Sequence, residues 1–85
     1  MELKDTINLM TSADYKERFA AEYAQAAIRK SKLRHMLQRW ERGELDFTPT
    51  CPKEVLIRQL RALDEYVYVL EDRAIIEKIT LPAIR

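Results

Sequence analysis

The feature that most constrains this chain is a four-three rhythm of apolar residues. Phe19, Tyr23, Ala26, Leu33, Leu37 and Trp40 recur at alternating steps of four and three, with Lys30 in the one place between Ala26 and Leu33, the spacing of a helix seam that packs in coiled-coil fashion. Leu56, Leu60, Leu63, Val67, Leu70 and Ala74 repeat the rhythm further on. Between the two stretches lie Gly43, Pro49 and Pro52, which stop one helix and allow another to begin. The pattern predicts an all-α fold: a long two-helix antiparallel hairpin. No strand alternation, internal repeat or low-complexity segment competes with it.

The boundaries follow from local chemistry. Leu3, Ile7 and Met10 share one face, giving a short N-terminal helix over about 3–10. Thr11 is a helix N-cap candidate with Asp14 at the third helical position, and Met10 and Tyr15 then take the staple positions. The first long helix is expected over about 12–42, roughly 45 Å long. A turn follows over 43–51, in which Leu45 and Phe47 fold back toward Trp40. Pro52 fits the first turn of the second long helix, about 52–78, with Cys51 or Thr50 as its cap. Residues 79–85 form a tail. The whole is read as one helical domain, 1–85.

A hairpin of two helices cannot enclose its own core, and a chain of 85 residues buries a modest share of its surface. Ala20, Ala24, Ala27 and Ser31 make a second, small-residue stripe beside the seam. Val55, Ala62, Tyr66, Val69 and Ile76 widen the apolar face of the second helix, while Ile57, Tyr68 and Ile75 add further positions. Both helices therefore call for additional partners, and self-association into a helical oligomer is expected.

Formal net charge is +1, so no global field draws the chain to a nucleic-acid polymer or a membrane surface. The charge is uneven, however. Arg29, Lys30, Lys32, Arg34, Arg39 and Arg42 face the single anion Glu41 within residues 29–42, and the second half leans acidic. Neutralisation within a hairpin or between subunits is the plain interpretation. Cys51 is the only cysteine, and no apolar run suits a bilayer. A cytoplasmic protein is the simplest expectation.

Catalytic chemistry is scarce. His35, the only histidine, falls on a polar face and is expected at the surface. No histidine or cysteine spacing suits a metal, glycine is too rare for a phosphate loop, and Cys51 has no base partner and reads as a cap or small apolar group. The expectation is a non-enzyme without cofactor or metal. Lys30 is the one position needing explanation, because it interrupts the seam. Either its stem carries the ammonium out to a carboxylate such as Asp64 or Glu65, which an antiparallel hairpin places roughly opposite, or it meets an anionic ligand at a subunit junction. Tyr15 and Lys30 lie about 22 Å apart along one helix. They can meet one small ligand only across an interface.

Gln59, Leu60, Arg61, Ala62, Leu63, Asp64, Glu65 and Tyr66, followed by Leu70 and Arg73, resemble the last helix of the phage anti-CBASS type 2 proteins, small all-helical sponges. The turn Leu45, Asp46, Phe47, Thr48, Pro49, Thr50, Cys51, Pro52 is also similar to that of short uncharacterised proteins from phages of gut bacteria, crAss-like phages among them. The likeness covers mainly 55–73, with weaker agreement over 15–42. It implies a compact hexamer that binds cyclic di- and trinucleotide messengers without cleaving them, inside the bacterial host cell, and so blunts antiphage defence. It further implies a base stacked on a tyrosine near the start of the long helix and a phosphate held by a lysine about four turns on, from different subunits. Tyr15 and Lys30 have that spacing; Arg29 and Arg34 are neighbours that add charge by position alone. Two other functions fit the same seams: a coiled-coil-like protein interaction module that binds no nucleotide, and a small nucleic-acid-binding bundle, which the near-neutral charge disfavours.

Overall fold

The structure is a computed structural model describing residues 1–84. A 3-10 turn at Leu3–Thr6 runs into a short helix α1, Ile7–Met10. Two long helices follow, α2 at Tyr15–Glu41 and α3 at Lys53–Glu77. No strand occurs among the described residues. Links between the long helices run in opposite order along them: Tyr15 meets Glu77, Glu22 meets Tyr66 and Lys30 meets Asp64. The hairpin is therefore antiparallel. No helix among the described residues is long and apolar enough to cross a membrane.

The seam packs as its spacing requires. Phe19, Ala26 and Leu37 on α2 and Val67, Leu70 and Ala74 on α3 are buried, while Tyr23, Leu33, Trp40, Leu56, Leu60 and Leu63 are half-buried. Burial is deepest at the Phe19–Ala74 end, where the segment after α3 supplies a third layer. Ile79 is 8% exposed within the cluster, and Leu81 and Ile84 pack against it. The tail is thus part of the core. Toward the turn end Leu33, Leu56, Leu60 and Leu63 stay half-buried, while Leu37 is covered.

The expected small-residue stripe divides: Ala27 joins the hairpin core, Ala20 is half-buried and Ser31 is exposed. Ala24, with Ala21 and Ile28 beside it, is almost fully buried. Gln25, between them on the helix surface, donates from Nε2 to Thr6 Oγ1 at 3.0 Å and lies 3.4 Å from Met10 Sδ. The N-terminal segment therefore lies on this face, and small side chains are what let it approach. Thr6 is 1% exposed, and its hydroxyl donates to the Leu3 carbonyl at 2.7 Å.

Two helix boundaries correct the expectations. The N-cap of α2 is Asp14, whose carboxylate accepts from the Lys16 backbone N–H at 3.0 Å. Thr11 instead returns its hydroxyl to the Ile7 carbonyl at 3.0 Å and closes α1. The staple consequently does not form, and Met10 and Tyr15 are both about half exposed. At α3 the capping residue is Pro52 itself, with no side-chain cap; its carbonyl accepts from Val55 and Leu56. Cys51 is a half-buried free thiol just outside the helix.

Both long helices end in the same motif. Glu44 N–H bonds Arg39 C=O at 2.9 Å and Gly43 N–H bonds Trp40 C=O at 3.0 Å, with Gly43 at φ 70°. Ile79 N–H bonds Ala74 C=O and Lys78 N–H bonds Ile75 C=O, with Lys78 at φ 56°. These are paired Schellman closures. In the second, burial of Ile79 beside Ala74 supplies the apolar contact that accompanies the motif. In the turn between the helices, Leu45 and Phe47 border one shallow depression with Trp40. Phe47 remains 55% exposed, and Lys53 Nζ sits 5.1 Å over the Trp40 ring.

Candidate anion-binding cavity and tyrosine clamp

Lys30 leaves the seam along its own stem. Its side chain is 21% exposed, and Nζ lies 3.0 Å from Asp64 Oδ1 on α3. Arg34, one turn further on, reaches the same oxygen at 3.4 Å. The salt-bridge alternative for Lys30 is therefore realised within one chain. The Lys30 hydrogen bond and charge, followed by the weaker pull of Arg34, hold the Asp64 carboxyl below its ordinary range.

The two cations of this cluster, Lys30 and Arg34, line a cavity of about 350 Å³. Lys30, Lys32 and Arg34 provide its cationic wall, Tyr23 and Val67 an apolar one, and Glu71 a carboxylate. Burial, with Glu71 close by, pushes the Tyr23 phenol up. Met1 and Ile84 complete the lining, and the Met1 nitrogen donates to the Ile84 carbonyl at 2.8 Å. The cavity thus joins one stretch of α2 to both ends of the described chain. Its volume lies at the low end of the range usual for small-molecule sites.

Tyr15 sits elsewhere, in a clamp of its own. Its hydroxyl donates to Glu77 Oε1 at 2.7 Å and accepts from Arg73 Nη2 at 3.0 Å. Arg73 Nε in turn donates to Glu77 Oε2 at 3.3 Å. The Arg73 guanidinium covers the Phe19 ring at 4.9 Å, and Tyr15 meets that ring edge-on at 6.3 Å between centroids. Three side chains from two helices, Glu77, Arg73 and Phe19, hold a tyrosine that is still 46% exposed. The bond to Glu77 raises the Tyr15 phenol above its ordinary range and lowers the Glu77 carboxyl.

Of the expected site residues, the fold brings Lys30 and Arg34 together at Asp64. Arg29 is exposed, has no ion-pair partner among the described residues and is not among the residues that line the cavity. Tyr15 is fifteen residues up the helix from Lys30, about 22 Å by rise. Sequence reasoning missed the roles of Glu77, Lys32, Tyr23 and the tail. Glu77 was within reach: Arg73 and Glu77 are four apart on one helix, and the register that sets 30 opposite 64 sets 15 opposite the end of α3. His35 is exposed.

A family model described as Sequestin matches residues 13–76, which includes both long helices apart from the last residue of α3. No curated protein and no solved structure matches the chain.

Proposed function

Because the chain belongs to the Sequestin family, we propose that it sequesters a small anionic signalling molecule, and specifically a cyclic di- or trinucleotide of antiphage immunity. Binding without turnover is the mechanism. The family name supports sequestration, and the resemblance of residues 59–73 to the anti-CBASS type 2 proteins supports the ligand class. The observation that carries the reading is the cavity wall of Lys30, Lys32 and Arg34 beside an apolar flank. A phosphodiester needs a few cations, and a base needs an apolar or aromatic surface.

Tyr15 supplies the aromatic surface in this scheme. Glu77 and Arg73 fix its ring before any ligand arrives, so little rotamer entropy is lost on stacking. One chain cannot bring Tyr15 and Lys30 to one small molecule, so the complete site is shared between two subunits. Exposed Tyr66, Val69, Ile75 and Ile76 on α3 give the chain apolar surface for such an assembly, of which the resemblance suggests six copies. A sponge of this kind lowers the free messenger only when its sites outnumber the messenger molecules and bind tightly.

Calorimetry of the purified protein against a panel of cyclic di- and trinucleotides tests the proposal. The expected result is binding, with the ligand recovered intact after denaturation. Lys30→Ala is expected to weaken it about 10- to 100-fold, the equivalent of a charged hydrogen bond of about 1.5–3 kcal/mol, with the assembly unchanged. No heat with any ligand would instead favour a helical interaction module that binds no nucleotide.

A further inference from the structure

Asp64 has no part in the expected ligand contacts, yet it sits at their centre. Two cations converge on one of its oxygens, Lys30 at 3.0 Å and Arg34 at 3.4 Å. That is the arrangement a phosphate oxygen adopts between a lysine and an arginine. We propose that Asp64 is an internal counter-anion that holds two cations of the cavity wall, Lys30 and Arg34, and is displaced from them by the ligand, so that it sets the affinity of the site. The inference rests on the anion-binding reading of Lys30 given above.

Exposure decides which partner moves. The Lys30 side chain is 21% exposed, so its stem is held by the seam. Asp64 is 58% exposed, and one change of rotamer returns its short side chain to water. A ligand phosphate near Lys30 and Asp64 in its present place would be two anions sharing one ammonium, which disfavours their coexistence. The wider cavity has the charge to take the exchange. Lys32 also lines it and has no ion-pair partner among the described residues, while Glu71 is the one carboxylate in the lining and Asp64 reaches its cations from outside that lining. An entering phosphate therefore trades one carboxylate for itself and leaves the Lys30 ammonium where it stands. Charge at Asp64 acts as a brake on weak anions and lets through those with several contacts.

The test is Asp64→Asn, which keeps a carbonyl for Lys30 and removes the charge. Inorganic pyrophosphate and a cyclic dinucleotide are titrated calorimetrically into the assembled protein. Asp64→Asn is expected to bind pyrophosphate about 3- to 10-fold more tightly than the unaltered chain, and adding Lys30→Ala is expected to abolish the gain. Equal or weaker binding by Asp64→Asn overturns the proposal and makes Asp64 a residue that merely orients Lys30. A second readout needs no variant. In the unaltered protein, carbon NMR of the Asp64 carboxyl is expected to show its titration moving up toward the ordinary range on saturation with pyrophosphate; an unmoved titration also overturns the proposal. Gain with pyrophosphate but no cyclic dinucleotide binding would leave Asp64 as counter-anion and remove the messenger reading. Cyclic dinucleotide binding with no gain would do the reverse.

Discussion

The hydroxyl of Tyr15 links the start of one long helix to the end of the other, and its chemistry fixes the pH range of that link. Ionising Tyr15 would leave a phenolate against the Glu77 carboxylate, so the phenol is held above its ordinary value. Its contribution to stability is present below about pH 10 and lost as pH rises through the raised value. Glu77 and Asp64 are depressed. Their contribution is present above the ordinary carboxylate range, about pH 4, and lost as pH falls through the lowered values. Glu77→Gln is therefore expected to bring the Tyr15 titration down toward pH 10. Phenolate absorbance, assigned by comparison with Tyr15→Phe, measures this; a titration unmoved by Glu77→Gln would show that the two are not coupled. At this scale the sequence was partly legible. The Lys30–Asp64 pair follows from hairpin register, because a cation on an apolar seam must find an escape. The Tyr15–Glu77 pair obeys the same register, but its members are partly exposed polar groups that disturb no apolar pattern.

Among the elements, the helix ends show how the same motif can be conspicuous or hidden. Gly43 marks the end of α2 because glycine enters the left-handed region without strain. Lys78 closes α3 in the same geometry at φ 56° with a side chain that disfavours it. Periodicity locates that end, but nothing in the residue type announces the conformation. Lys78→Gly is expected to stabilise the fold by about 0.5–1 kcal/mol, raising Tm by roughly 2–8 °C in a domain of this size. A thermal melt showing no gain would mean that unfolded-state entropy of the new glycine offsets the relief. The start of α2 was harder to read for a related reason. Thr11, Ser12 and Asp14 are all good caps. The choice depends on Thr11 being already bonded to Ile7, a fact of the preceding helix.

The whole molecule is elongated, 43 × 24 × 19 Å with a radius of gyration of 14.8 Å, against about 12 Å for a compact chain of this length. Elongation leaves the outer flanks of α3 uncovered, with Ile75 76% and Ile76 78% exposed. If those flanks join subunits, Ile76→Glu is expected to yield smaller species by light scattering while helical circular dichroism persists. An unchanged mass would place the contacts elsewhere. The two-helix hairpin was legible because one periodicity runs through both helices. The third layer was not, since Ile79, Leu81 and Ile84 surround Pro82 without any helical spacing, and irregular chain carries no periodic signal.

The bond between the Met1 nitrogen and the Ile84 carbonyl has a practical consequence for anyone handling this protein. Both residues line the cavity, so a charged segment joined next to either one starts beside its lysines. A polyhistidine or acidic tag there offers its own side chains to the lysines and competes with what is being measured. The turn between Gly43 and Pro52 lies past the far end of α2, and its Phe47 already stands in solvent. A label placed in that turn reports on the protein from a distance, with the cavity unobstructed.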